Sequence, residues 1–143
     1  MVIVMELNKL IDVMKQLAHK HHAGQYRKDG KTPYISHVER VASSVEDRLK
    51  PIAYGHDLVE DTDITIQQLV DLGIPAYVTD AIDLLTHKNG ESNIDYWNKI
   101  FTNKDALAVK VADVNDNISD NPSDRARKKY NQFLDSLKAK SLL

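Results

Sequence analysis

Cysteine is absent from the 143-residue sequence. Disulfides, thiolate nucleophiles and zinc–thiolate sites are therefore excluded, and a reducing cytoplasm is compatible with that absence. An excess of one charge is lacking too: 19 Lys and Arg against 21 Asp and Glu leave a formal net charge of −2. That balance argues against a nucleic-acid coat or a polybasic membrane surface, so neither partner is expected. Long apolar runs are missing. The opening "MVIVM" is apolar for only five residues before Glu6; it is too short for a signal-peptide core or a membrane span and reads as an ordinary start. No low-complexity segment, internal repeat or linker divides the chain. What is present is one domain over residues 1–143, with 42% hydrophobic and 28% charged residues. These are ordinary proportions for a soluble globular protein with a single core.

No alternating run is long enough for a central strand, and helical spacing dominates instead. Leu10, Ile11, Met14, Leu17 and Ala18 predict a first helix ending at Gly24. "QYRKDGKTPY" reads as a loop around Gly30 and Pro33. Ser36 with Glu39 predicts a capping box opening a second helix, with Val38, Val41, Ala42, Val45 and Leu49 on one face. Pro51 suits the first turn of a third helix running through "IAYGHDLVE". Thr65 with Gln68 predicts another capping box, for a short helix stopped by Gly73, and Pro75 starts a fifth. A short helix follows around Ile94 to Phe101. "DALAVKVADVNDNI" continues as a buried helix, with a strand as the minority reading. "NP" at 121 and 122 breaks it before a last helix carrying Tyr130, Phe133, Leu134 and Leu137 inward. The class is all-α.

One stretch, "GHDLVEDTD", sets His56, Asp57, Glu60, Asp61 and Asp63 around Leu58 and Val59 with no Lys or Arg to relieve the charge. On a helix, His56 and Glu60 lie one turn apart, and so do Asp57 and Asp61. A solvated acidic helix end is the plainer reading, but His56 and Asp57 sit among Tyr54, Leu58 and Val59, in a segment that must bury something. A divalent cation offsets such crowding and takes neutral imidazole and ionised carboxylate donors. Further donors are expected elsewhere: His37 in the first turn of the second helix, and Asp113 in an apolar run where an unpaired carboxylate is expensive. Each alone has a bland alternative, a core or cap histidine and an Asp–Lys or Asp–Arg pair. Together with His56 and Asp57 they make a two-imidazole, two-carboxylate set suited to Mn²⁺, Fe²⁺ or Zn²⁺.

His37, the "HD" of His56 and Asp57, and Asp113 resemble the H…HD…D arrangement of the HD-domain metal-dependent phosphohydrolases. "AGQYRKDGKTPYISHVERVA", "HDLVEDT", "KVADVNDN" and, more weakly, "LLTH" resemble blocks of one branch, the RelA/SpoT-type (p)ppGpp hydrolases and small alarmone hydrolases. The similarity spans roughly residues 10 to 118. It implies an α-helical HD-domain bundle holding Mn²⁺ through His37, His56, Asp57 and Asp113. It also implies hydrolysis of the 3′-pyrophosphate of a guanosine alarmone in the cytoplasm. Glu60 and Asp61, matching the family's ED pair, are the implied catalytic acids. Arg27, Lys28 and Asn117 are the implied substrate contacts. The chain length leaves no room for the synthetase and regulatory domains of the bifunctional enzymes, so a hydrolase-only protein is expected.

The sequence departs from the family at Gly55, where a bulky apolar residue is usual and where space beside the metal is expected to open. It departs at Val38, which replaces a proline, and at Asp116, where histidine is common. It departs again at Ser119 and Asp120, beside the nucleotide. Two rival readings follow: an HD phosphohydrolase acting on a dinucleotide-cofactor phosphate or a nucleoside monophosphate, and a module that binds an alarmone without cleaving it. The intact Glu60 and Asp61 count against the second. His22 is expected to anchor a loop, His87 to lie at the surface, Trp97 in the core, and "RARKK" at 125–129 on a solvated face.

Overall fold

The computed structural model describes residues 5–140; the first four residues of the opening apolar stretch lie outside them. Nine α-helices are present among the described residues. In chain order they are α1 (Leu7–His21), α2 (Ile35–Ser43), α3 (Lys50–Gly55), α4 (Leu58–Asp61), α5 (Ile66–Asp71), α6 (Ala76–Leu85), α7 (Asn93–Phe101), α8 (Lys104–Ser119) and α9 (Asp124–Ala139). A 3₁₀ turn, Asp47–Leu49, leads into α3. The all-α class holds, and the Val-rich segment of α8 is helical. One isolated β-bridge, Tyr26 to Pro33, closes the loop between α1 and α2.

Helix α3 is the centre of the architecture. Pro51 to Gly55 are all buried, and α1, α2, α6 and α8 pack around them. At Gly55, a Cβ would lie 2.5 Å from Ile82 Cδ1 and 2.6 Å from Met14 Cε, so a larger residue there would displace the tips of these two core side chains. The glycine thus faces the core, and the expected space beside the metal is filled by Met14 and Ile82.

Local chemistry sets most of the helix ends. Thr65 and Gln68 form the predicted capping box, and Gly73, at φ +86°, follows the last turn of α5. Pro75 precedes α6. Asn103 accepts from the backbone N–H groups of Asp105 and Ala106 at 2.9 and 3.0 Å, capping α8, and Ser123 caps α9. Side-chain oxygens here satisfy amides that the helix itself cannot.

Three predicted helices differ in their bounds. Helix α1 stops at His21 rather than Gly24, because His22 turns inward and is buried. Helix α2 starts at Ile35 with no side-chain cap and ends at Ser43, so Val45 and Leu49 lie beyond it, Leu49 in the 3₁₀ turn. Ser36 lies inside α2 and donates to the Pro33 carbonyl, while Glu39 is drawn away by His19 and Tyr54. The third difference shapes the site. The helix predicted through residues 51–60 breaks at His56 and Asp57, and resumes as the single turn α4.

Candidate functional site

The break between α3 and α4 turns His56 and Asp57 toward the same point. In an unbroken helix, adjacent residues point about 100° apart. With α3 ending at Gly55 and Asp57 at φ −111°, ψ 0°, both side chains meet His37 from α2 and Asp113 from α8. One donor atom from each of these four residues lies within 4.8 Å of the others. Asp57, Glu60 and Asp61 form a second, more exposed group of the same tightness.

Each donor is oriented by a specific partner. His56 Nδ1 lies 2.6 Å from the Ala53 carbonyl, one turn back on its own helix, so that nitrogen carries a proton. Its Nε2 is buried and hydrogen-bonded to nothing, although Asp57 Oδ2 is 2.9 Å and Asp113 Oδ1 3.4 Å away. Tyr34 donates to Asp57. Asp113 Oδ1 lies 2.8 Å from His37 Nε2 and accepts from the Asn117 amide at 3.2 Å, and its Oδ2 accepts from Lys110 Nζ at 3.2 Å. His37 Nδ1 lies 2.6 Å from Asp116 Oδ2.

The electrostatics agree with a cation site. Burial opposes a charge on His56, but Asp57 and Asp113 override it and hold the imidazole well above its ordinary value. Burial pushes Asp57 upward, yet His56 and the Tyr34 hydrogen bond bring it down to about 2. Asp113 is lowered despite burial, first by Lys110 and then by the two histidines. The set therefore presents ionised carboxylates whose field favours positive charge at His56, and a cation bound there would take the place of the proton on Nε2. These donors fit a divalent ion such as Mn²⁺, Fe²⁺ or Zn²⁺.

Asp61 differs from Asp57. Partial burial and the adjacent Asp57 and Glu60 raise it to about 6, a carboxyl able to exchange a proton near neutrality. Its backbone carbonyl is held by Gln25 Nε2 at 2.9 Å, and Gln25 in turn pairs with His22 Nδ1 at 2.8 Å. His22 thus anchors the loop, as expected. Glu60 accepts the His87 backbone N–H at 2.7 Å.

The four-donor set borders a cavity of about 190 Å³, into which His56, Asp57, Glu60, Asp61, Asp113 and Asn117 project. His37 reaches the set from behind and is 1% exposed. A second cavity, of about 700 Å³, opens beside it and holds Arg27 and Lys28, sharing Tyr34, Asn117 and Tyr130 with the first. Arg27 binds Asp120 Oδ2 and Asn117 Oδ1, both at 2.9 Å. Arg27 and Asn117 are therefore brought together at the cavity's edge, whereas Lys28 lies in the outer cavities only.

Sequence reasoning missed several lining residues. Lys110 is one: it stands three before Asp113 in the same apolar run, a spacing that places both on one helix face. Lys129 is another. The charged residues of "RARKK" are exposed as expected while Ala126 is buried, yet Lys129 also lines the first cavity, and with Lys28, Arg125 and Lys128 it lines a third, of about 720 Å³, with no Asp or Glu. Burial and the nearby Lys110 and Lys28 lower the Lys129 ammonium. His87 borders the same space, stacked on Tyr96 at 4.5 Å between ring centroids. Trp97 packs edge-to-face on Phe133 in the core, as expected.

No family model matches this chain, and no curated protein matches it. Among solved structures, it is similar to one described as a metazoan orthologue of SpoT that hydrolyses ppGpp and plays a role in starvation responses. The TM-score is 0.68 at 24% identity, over 87% of this chain and 79% of that one. At this identity the likeness establishes the fold alone, an all-α bundle shared with that structure. No helix among the described residues is long and apolar enough to cross a membrane.

Proposed function

We infer that this protein is a Mn²⁺-dependent hydrolase that removes the 3′-pyrophosphate of ppGpp or pppGpp in the cytoplasm. The observation that carries the reading is that two unlike surfaces line adjoining cavities, which share His87, Asn93 and Lys129. A fixed two-histidine, two-aspartate set lies at one end, and a cavity wall of Lys28, Arg125, Lys128 and Lys129 without acids lies at the other. A substrate suited to both carries phosphoryl groups at two separate places. The fold's likeness to a structure described as a ppGpp hydrolase supports the same class.

His37, His56, Asp57 and Asp113 hold the cation, which supplies a lowered water pKa and neutralises charge on the phosphoryl oxygens. Glu60 and Asp61 stand next to Asp57 on the solvent side. They orient the attacking water and accept its proton; the 3′-oxygen of the ribose leaves as the phosphorus–oxygen bond breaks, takes a proton, and frees pyrophosphate. The His87 amide fixes Glu60 for that task, and Asp61 beside it is placed to pass the proton on. Asn117 contacts the nucleotide. Arg27 and Lys28 take up phosphate or the nucleotide by charge-assisted hydrogen bonds, Arg27 exchanging its contact to Asp120.

A second reading, hydrolysis of another phosphorylated nucleotide, is favoured by one observation: Asp120 and Asn117 already occupy Arg27. The experiment is release of pyrophosphate or phosphate by the purified protein from ppGpp, pppGpp, dinucleotide-cofactor phosphates and nucleoside monophosphates, with Mn²⁺ and with chelator. Metal-dependent pyrophosphate release confined to ppGpp and pppGpp is expected. Phosphate released only from another nucleotide would move the substrate. Inactivity on all of them in metal-loaded protein would leave an alarmone-binding module.

A further inference from the structure

Helices α2 and α8 each contribute two residues three positions apart to one interlocked arrangement. His37 and Arg40 come from α2, and Asp113 and Asp116 from α8, so each pair lies on a single helix face. His37 stands between the two carboxylates, with Nε2 toward Asp113 at 2.8 Å and Nδ1 toward Asp116 at 2.6 Å. Arg40 closes the arrangement from outside: its Nε donates to Asp116 Oδ1 at 2.6 Å and its terminal nitrogen to Asp116 Oδ2 at 3.1 Å. His37 is 1% exposed, so no bulk water competes for either ring nitrogen.

We propose that Asp116, clamped by Arg40, is a positioning residue that keeps the proton of His37 on Nδ1 and so leaves Nε2 free to bind a divalent cation. A neutral imidazole carries one proton, and only the other nitrogen offers a lone pair. Left with Asp113 alone, His37 would hydrogen-bond to it through Nε2–H and lose that lone pair. The Asp116 carboxylate competes for the proton from the opposite side of the ring. Arg40 holds both oxygens of Asp116 in place, so that the carboxylate stays facing Nδ1. The carboxylate also makes the imidazole a better donor, the usual effect of an acid behind a metal-binding histidine. The same acid could instead serve only to join α2 to α8. That role would leave the protonation pattern of His37 and the intrinsic cation affinity unchanged.

The inference rests on the metal-site part of the reading above and is independent of which nucleotide is cleaved. Its test is Mn²⁺ binding by calorimetry to the full chain, without nucleotide, for the wild type, Asp116→Ala and Arg40→Gln. Asp116→Ala is expected to weaken Mn²⁺ binding about 10- to 100-fold, with Arg40→Gln weaker in the same direction. A change within twofold in folded Asp116→Ala would overturn the proposal. Nitrogen NMR of histidine-labelled wild type, with Zn²⁺ as a diamagnetic probe, requires no variant to fold. A protonated Nδ1 with Nε2 bound is expected; the opposite pattern would overturn the proposal. A wild type that binds neither ion would overturn both this inference and the metal reading, whereas normal binding in Asp116→Ala would overturn this inference alone.

Discussion

The two ends of the binding space are built by opposite rules. At the inner end, His37, His56 and Asp113 are buried, and every member of the four-donor set has at least one partner that fixes its direction. At the outer end, Lys28, Arg125, Lys128 and Lys129 are exposed and line a wall without acids. The contrast reflects cost. Buried charges must be paired and oriented, whereas exposed ammonium and guanidinium groups remain solvated and movable. The inner end suits a rigid cation site, and the outer end suits the capture of an anionic group whose position varies.

Breaking the inner end should have the largest effect. Asp113→Ala removes a cation donor and strands Lys110, whose charge is held up by Asp113 despite burial. We expect a loss of stability of about 3–5 kcal/mol, as for other broken buried pairs, together with loss of bound Mn²⁺. Chemical denaturation and metal analysis measure the two; a variant retaining full metal occupancy would remove Asp113 from the ligand set. Next come the acids between the two ends. Glu60→Gln or Asp61→Asn should lower turnover about 10²- to 10⁴-fold with Mn²⁺ affinity nearly unchanged, and steady-state kinetics beside calorimetry separates the two. Unaltered turnover would end their catalytic assignment.

At the outer end, Lys129→Ala should raise KM about tenfold, the worth of one charge-assisted contact, for substrates with phosphoryl groups at two places. A mononucleotide should be unaffected; an equal rise for both would show that Lys129 does not read the second group. The smallest effect concerns pH. With its folded pKa raised to about 6 above the model-peptide 3.8, Asp61 binds more protons in the folded state, so it costs stability as pH rises through that window. Asp61→Asn should therefore stabilise the metal-free protein slightly above pH 6 and leave it unchanged near pH 3.5. Thermal melts across that range check the sign, and equal melting shifts at both ends would contradict it.

How far the sequence could be read differed between particular residues. Thr65 with Gln68 carried its own partner three residues away, so the cap of α5 was legible. Ser36 with Glu39 has the same spacing but does not form a cap, because His19 and Tyr54, distant in sequence, draw Glu39 away. The four donors were recognisable from residue type, apolar surroundings and the quoted blocks. The helix break that makes His56 and Asp57 converge was not, because "IAYGHDLVE" suits an unbroken helix. Gly55 was misread for a related reason: its neighbours Met14 and Ile82 come from other helices. Lys129 looked like part of a solvated charge run, and only the placement of α9 against the cavity shows otherwise.

By itself, the sequence determined the helical class, most of the helix ends and which two histidines and two aspartates to look for together. These follow from periodicity and from contacts within a few residues, which local physics dictates. Tertiary structure decided which face of each helix meets which, and hence that Asp116 lies behind His37, that Arg27 meets Asp120, and that a lysine-rich wall borders the acids. Those relations join residues dozens of positions apart. Their geometry depends on how α2 and α8 pack on α3 and α9 on α8, which no short stretch of chain encodes alone.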